Sequence, residues 1–156
     1  MAGLASRDDV KTRLPKAVYV ALVAVVVGLA SATYLTVEHF NSSVTLACPD
    51  TGAINCAKVT SSKWSHFAGI PVSVLGLVFF VGMGVLLLPA LWRIRQLDIV
   101  RLLGAIVGVV GVIYLVWAEL FKLRAICLYC TAVHVCTLII FGCVLWAVSE
   151  RLNQSQ

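Results

Sequence analysis

Four long apolar runs, at about 17–37, 70–91, 102–120 and 126–148, alternate with polar segments along the chain. Each is close to the ~20 residues that a helix needs to cross a bilayer core. None shows the period-two alternation of a membrane barrel strand, and helices and closed barrels are the structures that satisfy their own backbone in lipid. The pattern therefore predicts an all-α integral membrane protein, a four-transmembrane-helix bundle. A polar segment at 1–15 precedes it, an outer loop at 38–69 caps it, and a polar tail at 149–156 follows.

Composition agrees with that reading. Of the 156 residues, 61% are hydrophobic and 12% charged, and the mean hydropathy is +1.00. A water-soluble domain this small would expose too much apolar surface. The net charge of +5 belongs to topology rather than to nucleic acid, because no basic patch carries interleaved aromatic residues. With four spans both termini share a side. That side carries Arg7, Lys11, Arg13, Lys16, Arg93, Arg95, Arg101 and Arg151, against Lys58, Lys63, Lys122 and Arg124 opposite. The excess predicts cytoplasmic termini in a multi-pass protein of the inner or plasma membrane. The first run also resembles a signal peptide ending at Ala30-Ser31-Ala32, but its apolar stretch is long for one and is expected to remain as a helix. Small residues recur on the first run (Ala17, Ala21, Ala24, Gly28, Ala32) and on the third (Gly104, Gly108, Gly111), which predicts close helix packing.

Six cysteines change the picture from topology to chemistry. Cys136 and Cys143 lie seven apart inside the last run and read as packing residues. Cys48 and Cys56 lie in the outer loop, and Cys127-Leu128-Tyr129-Cys130 opens the last helix. By the charge count both pairs face the oxidising side. A Cys-x-x-Cys at a helix start is a redox-dithiol arrangement, and the helix dipole there is expected to favour the Cys130 thiolate. Two pairs within reach can exchange electrons as thiols and disulfides. The alternatives are a static Cys48–Cys56 bridge in a non-catalytic membrane protein, or zinc held by four thiolates. The long first spacer argues against the latter, and no metal is expected. Nothing in the chain resembles a phosphate-binding or dinucleotide-binding loop.

Continuous thiol oxidation needs an electron acceptor, and a membrane bundle offers room for a lipid-soluble quinone. His134 stands one turn beyond Cys130. An imidazole at membrane depth is a functional candidate by default and is placed to bond a quinone carbonyl. Between Cys56 and the second run, Val59, Trp64 and Phe67 are spaced to form the apolar underside of a short interfacial helix, with Lys58 and Lys63 toward water and Pro71 in the first turn of the second span.

Together Cys48 and Cys56, the Ser62-Lys63-Trp64 segment, the Gly69-Ile70-Pro71-Val72-Ser73 entry and Cys127-Leu128-Tyr129-Cys130 resemble the vitamin K epoxide reductase family. The Gly-Ile-Pro-Val-Ser entry looks more like its bacterial members. The resemblance spans about residues 16–148. It implies a four-helix bundle around a quinone (menaquinone or ubiquinone), with Cys127 and Cys130 as the active pair and Cys48 and Cys56 as the shuttle. Ser62 matches a family serine near the active site, and His134 stands where animal enzymes carry a quinone-facing tyrosine. Ser62, His134, Trp64 and Phe67 are thus the expected quinone contacts. The implied activity is a disulfide-generating quinone reductase serving a separate periplasmic thioredoxin-fold (DsbA-like) partner. A vitamin K epoxide or quinone recycling enzyme is the alternative within the same chemistry.

Overall fold

The computed structural model describes residues 16–41, 47–48 and 51–153. The expected terminal segment at 1–15, the loop residues 42–46 and 49–50 and the last three residues of the tail lie outside that range. Four principal helices form the body: α1 (Lys16–Phe40), α3 (Val72–Leu87), α5 (Leu97–Trp117) and α6 (Leu128–Asn153). Between them lie a one-turn helix α2 (Cys56–Thr60), a two-stranded hairpin of β1 (His66–Phe67) and β2 (Ile70–Pro71), and a short turn α4 (Pro89–Trp92). α1 packs chiefly on α6 and α3, and α5 packs on α6.

The helices are apolar on both faces. Val23, Val26, Val78, Val107 and Ile113 point outward, each more than half exposed. Three segments, Lys16–Phe40, Leu97–Leu123 and Leu128–Asn153, are long and apolar enough to cross a membrane, and Val72–Leu87 is a shorter apolar helix. A bundle that is apolar outside as well as inside is that of a membrane protein. Its core gathers Val18, Ala21, Val25, Phe80, Leu87, Ile140 and Val144. Gly28 is required there, because a Cβ on it would fall inside the Phe80 ring. Gly108 does the same for Phe79, which would stand 2.6 Å from an added Cβ. Cys136 and Cys143 pack in this core.

The structure redraws three of the predicted boundaries. The second apolar run does not continue as one helix to 91. Leu88 is extended at φ −56°, ψ 141° because it precedes Pro89, whose ring disfavours the helical region for its neighbour. Arg101, expected in a connector facing water, is completely buried inside α5. It donates to the carbonyls of Leu86 (2.9 Å), Leu91 (2.6 Å) and Ile94 (3.3 Å) and to the Asp98 carboxylate. The Leu86 carbonyl lies in the last turn of α3, where helical donors run out, while those of Leu91 and Ile94 also accept the backbone N–H groups of Ile94 (3.0 Å) and Leu97 (3.2 Å). Arg151 of α6 joins the same knot through Asp98 (3.0 Å) and the Trp92 carbonyl (2.6 Å), and both guanidinium groups lie over the Trp92 ring.

The single interfacial helix expected from 57 onward is the third difference. α2 spans one turn, capped by Asn55, whose side chain accepts from the Lys58 N–H at 2.8 Å. The chain then makes a 3₁₀ turn at Lys63–Ser65 and the hairpin. Ala68 (φ 52°) and Gly69 (φ 82°) both take positive φ at the hairpin tip, the requirement of a tight two-residue reversal. That turn chemistry outweighs the apolar spacing of Val59, Trp64 and Phe67. Pro71 caps α3 rather than lying in its first turn.

Candidate functional site: two cysteine pairs above a cavity

A backbone splice sets the two cysteine pairs together. Ile54 pairs in parallel with Ile126. The Asn55 N–H donates to the Ile126 carbonyl (3.1 Å), and the Ile126 N–H donates to the Ala53 carbonyl (2.9 Å). Cys56 follows one strand of this bridge and Cys127 the other. Both are almost fully buried, at 1% and 0% exposed, in one apolar cluster with Leu35, Val59 and Ala125. Cys48 and Cys130 pack against the same cluster.

The pairs differ in bonding. Cys48 and Cys56 form a disulfide, whereas Cys127 and Cys130 are free thiols. Cys48 is part-exposed. Two tyrosines, Tyr34 and Tyr129, whose rings are tilted at 51° with centroids 4.9 Å apart, grip the residue before it. The Ala47 N–H donates to the Tyr34 hydroxyl (3.2 Å), and the Tyr129 hydroxyl donates to the Ala47 carbonyl (3.3 Å).

Cys127 sits just before α6, and its carbonyl accepts from the Thr131 N–H, so it occupies the cap of that helix. Its sulfur accepts from the Cys130 N–H at 3.4 Å. The expected beneficiary of the helix N-terminus was Cys130, but the structure puts Cys127 there. A hydrogen bond from the Cys130 thiol holds the Cys127 thiol below its ordinary value, against the opposing effect of burial.

Below the pairs lies a cavity lined by α1, the loop, α3, α5 and α6. Cys130, His134, Ser62 and Trp64 all line it. Ser62 donates its hydroxyl to the Val59 carbonyl (2.9 Å), so its oxygen is already oriented by the loop. Trp64 packs edge-on against Trp117 at 5.8 Å, with Lys122 over both rings. His134 is 5% exposed, and its Nε2 is the one buried side-chain nitrogen or oxygen without a hydrogen-bond partner among the described residues. Phe67 does not join them. It is 58% exposed, outside the cavity lining, with its ring 6.1 Å from Tyr114, because the hairpin turns its strand outward.

Two cavity residues were not anticipated. His39, near the end of α1, lines the cavity and meets His66 edge-on, with ring centroids 5.2 Å apart. Glu119 lines it too, at 6% exposed. Its carboxyl lies toward the Cys127 backbone N–H, and its backbone carbonyl accepts from the Ala125 N–H (3.3 Å). A signal for Glu119 was present in the sequence, as the lone carboxylate within the third apolar run. Among the described residues no group of three or more His, Cys, Asp or Glu side chains is arranged to hold a metal ion.

The structure is thus a membrane helical bundle carrying one bridged and one free cysteine pair over an internal cavity. Residues 19–145 match the sequence model of the vitamin K epoxide reductase family, and the chain belongs to that family. Its members are membrane oxidoreductases, linked in general to cysteine relays and quinones.

Proposed function

We propose that the protein is a membrane thiol–disulfide oxidoreductase that reoxidises a periplasmic thioredoxin-fold partner and delivers the electrons to a quinone. The carrying observation is the junction of the two pairs above the cavity that holds Cys130 and the unpartnered Nε2 of His134. A buried polar atom without a partner costs about 1–3 kcal/mol. A ligand carbonyl or hydroxyl facing that nitrogen removes the penalty, and a quinone has such an oxygen.

Exposure supports the direction of flow. The partner's thiolate attacks Cys48, the accessible sulfur of the outer disulfide, rather than buried Cys56. Cys56 leaves as the thiolate and attacks Cys127, its neighbour in the cluster, releasing Cys130 into the cavity. The partner's second thiol displaces Cys48 from the mixed disulfide and releases the oxidised partner. Freed Cys48 then attacks Cys56 of the Cys56–Cys127 bond, which restores the Cys48–Cys56 bridge and leaves the inner pair reduced, the combination described above. The reduced pair then closes to a disulfide and passes two electrons to the quinone, the oxidising substrate. Ser62 and Trp64 shape the cavity wall on the loop side.

The proposed topology has four spans, with both termini in the cytoplasm and the cysteine pairs outside. The charge count of eight Lys and Arg against four supports it. α3 is 16 residues long, or about 24 Å. The hairpin before it and the α4 turn after it make up the remainder of a span.

Purified protein given a reduced thioredoxin-fold substrate and a short-chain quinone should bleach the quinone absorbance as the substrate acquires its disulfide. If no quinone is consumed, or if mass spectrometry finds the four cysteines in one unchanging pattern under oxidant and reductant alike, the proposal is wrong.

A further inference from the structure

Glu119 stands at a place where an apolar helix has no structural need of a carboxyl. Moving a carboxylate from water into such surroundings is costly unless it is paired, and among the described residues Glu119 belongs to neither of the ion pairs, both of which involve Asp98. The backbone is reshaped around it. The regular helix ends at Trp117, and Ala118–Leu123 form a wider π-helical turn, a feature frequent at functional sites. The turn closes at Arg124, left-handed at φ 47°, and the N–H groups of Arg124 and Ala125 both return to the Glu119 carbonyl. Ala125 and Ile126 then lead directly to Cys127, whose backbone N–H lies toward the Glu119 carboxyl. The carboxyl is close enough for its charge to act on both thiols of the inner pair. It also lines the cavity that holds Cys130 and His134. One acidic group thus touches the end of the relay and the chamber beyond it.

We infer that Glu119 is the proton carrier between the inner cysteine pair and the electron acceptor in the cavity. This rests on the quinone reading above. The overall step is a dithiol and a quinone giving a disulfide and a quinol. Two S–H bonds break, one S–S bond forms between Cys127 and Cys130, and two electrons and two protons pass to the quinone oxygens. The Glu119 carboxylate takes the proton of Cys127 as the S–S bond closes and gives it to one oxygen. The proton of Cys130, which already faces the cavity, goes to the other. The remaining titratable groups on the cavity are His39 from α1 and His134 from α6. The loop and α3 present none there, and of Glu119 and the two histidines, Glu119 is the one whose own turn runs directly on to Cys127.

The alternative is that Glu119 merely holds the Cys127 N–H. Glu119→Gln separates the two, because a glutamine oxygen accepts that hydrogen bond but carries no proton. Full-length protein in nanodiscs, with dithiothreitol or a reduced thioredoxin-fold substrate and a short-chain quinone, is the system. Glu119→Gln should lower kcat at least about tenfold, a loss on the scale of general acid–base catalysis, with the quinone KM within about twofold. The wild-type pH dependence of kcat should lose one ionisation. Glu119→Asp, which keeps the proton site, should recover part of the rate. A Glu119→Gln enzyme with wild-type kcat and pH profile overturns the inference while leaving the quinone reading intact, whereas a wild-type protein that consumes no quinone removes that reading itself. Should Glu119→Gln fail to fold, Glu119→Asp decides: a displaced pH–rate profile at constant KM supports the carrier, and an unchanged profile rejects it.

Discussion

The two ends of the bundle handle buried polar groups in opposite ways. Where α3 breaks at Pro89, Arg101, Asp98 and Arg151 satisfy one another and four backbone carbonyls, those of Leu86, Leu91, Trp92 and Ile94. At the cysteine end, the Nε2 of His134 is buried without a partner, and a carboxyl is set beside two thiols. Charge at the first end serves the fold, since its removal would leave carbonyls and a carboxylate unpaired in an apolar setting. Polarity at the second end has no such set of partners, and the proposed ligand and reaction would account for it. Burial alone therefore does not mark a functional residue in this protein. A buried group whose hydrogen bonds are incomplete does.

The contrast can be broken most sharply at Cys130. Cys130→Ser should lower quinone turnover at least about 1,000-fold, as loss of a reacting nucleophile does, while the melting temperature stays near that of the wild type. Quinone bleaching and thermal unfolding read the two quantities, and turnover at the normal rate would remove Cys130 from the relay. Next is Arg101→Met at the other end. It should cost about 3–5 kcal/mol of stability by leaving the Leu86 carbonyl without the arginine's donor and Asp98 with Arg151 alone, with turnover per folded molecule preserved. Unfolding in mixed micelles tests this, and a loss under 1 kcal/mol would mean that water or the other arginine replaces it.

His134→Leu should move both quantities in opposite directions. The quinone KM should rise about tenfold, equivalent to about 1.4 kcal/mol. Stability should hold or gain about 1 kcal/mol, because an unsatisfied polar atom is removed. A destabilised variant with unchanged KM would assign His134 to the structural class with Arg101. The inner pair offers a smaller, pH-dependent effect. The Cys127 thiol is held below its ordinary value first by Cys130, so Cys130→Ala should move its ionisation upward. The sign follows for stability: the contribution of ionised Cys127 is present above its ordinary value and disappears as pH falls through the lowered one. Thiolate absorbance against pH, compared between the two proteins, would detect the shift, and superimposable titrations would refute it. Smallest of all is Phe67→Ala, which should leave the quinone KM within twofold and stability within about 0.5 kcal/mol, as the side chain lies outside the cavity.

Much of the molecule was legible before any coordinates. Length and hydropathy of the runs are local properties, and they marked the principal helices to within a few residues at most ends. Pro89 was visible in the sequence, yet its consequence for the second run was hidden by the continuous apolar character on either side. The loop was harder. Val59, Trp64 and Phe67 read as one helical face, but the Ala68-Gly69 reversal turned Phe67 away from the others. Arg101 read as a topology charge because counting lysines and arginines says nothing of depth.

Taken alone, the amino-acid order determined the membrane class, the family and which four sulfurs could form two pairs, since these depend on residue type and on spacing within single segments. Only the tertiary structure decided that Cys56 is seated against Cys127 by the Ile54–Ile126 bridge, that Cys127 holds the helix cap, and that Glu119 and His134 share a cavity with Cys130. Those relations join segments up to some seventy residues apart, and no local pattern encodes which backbone will lie beside which until the helices have packed.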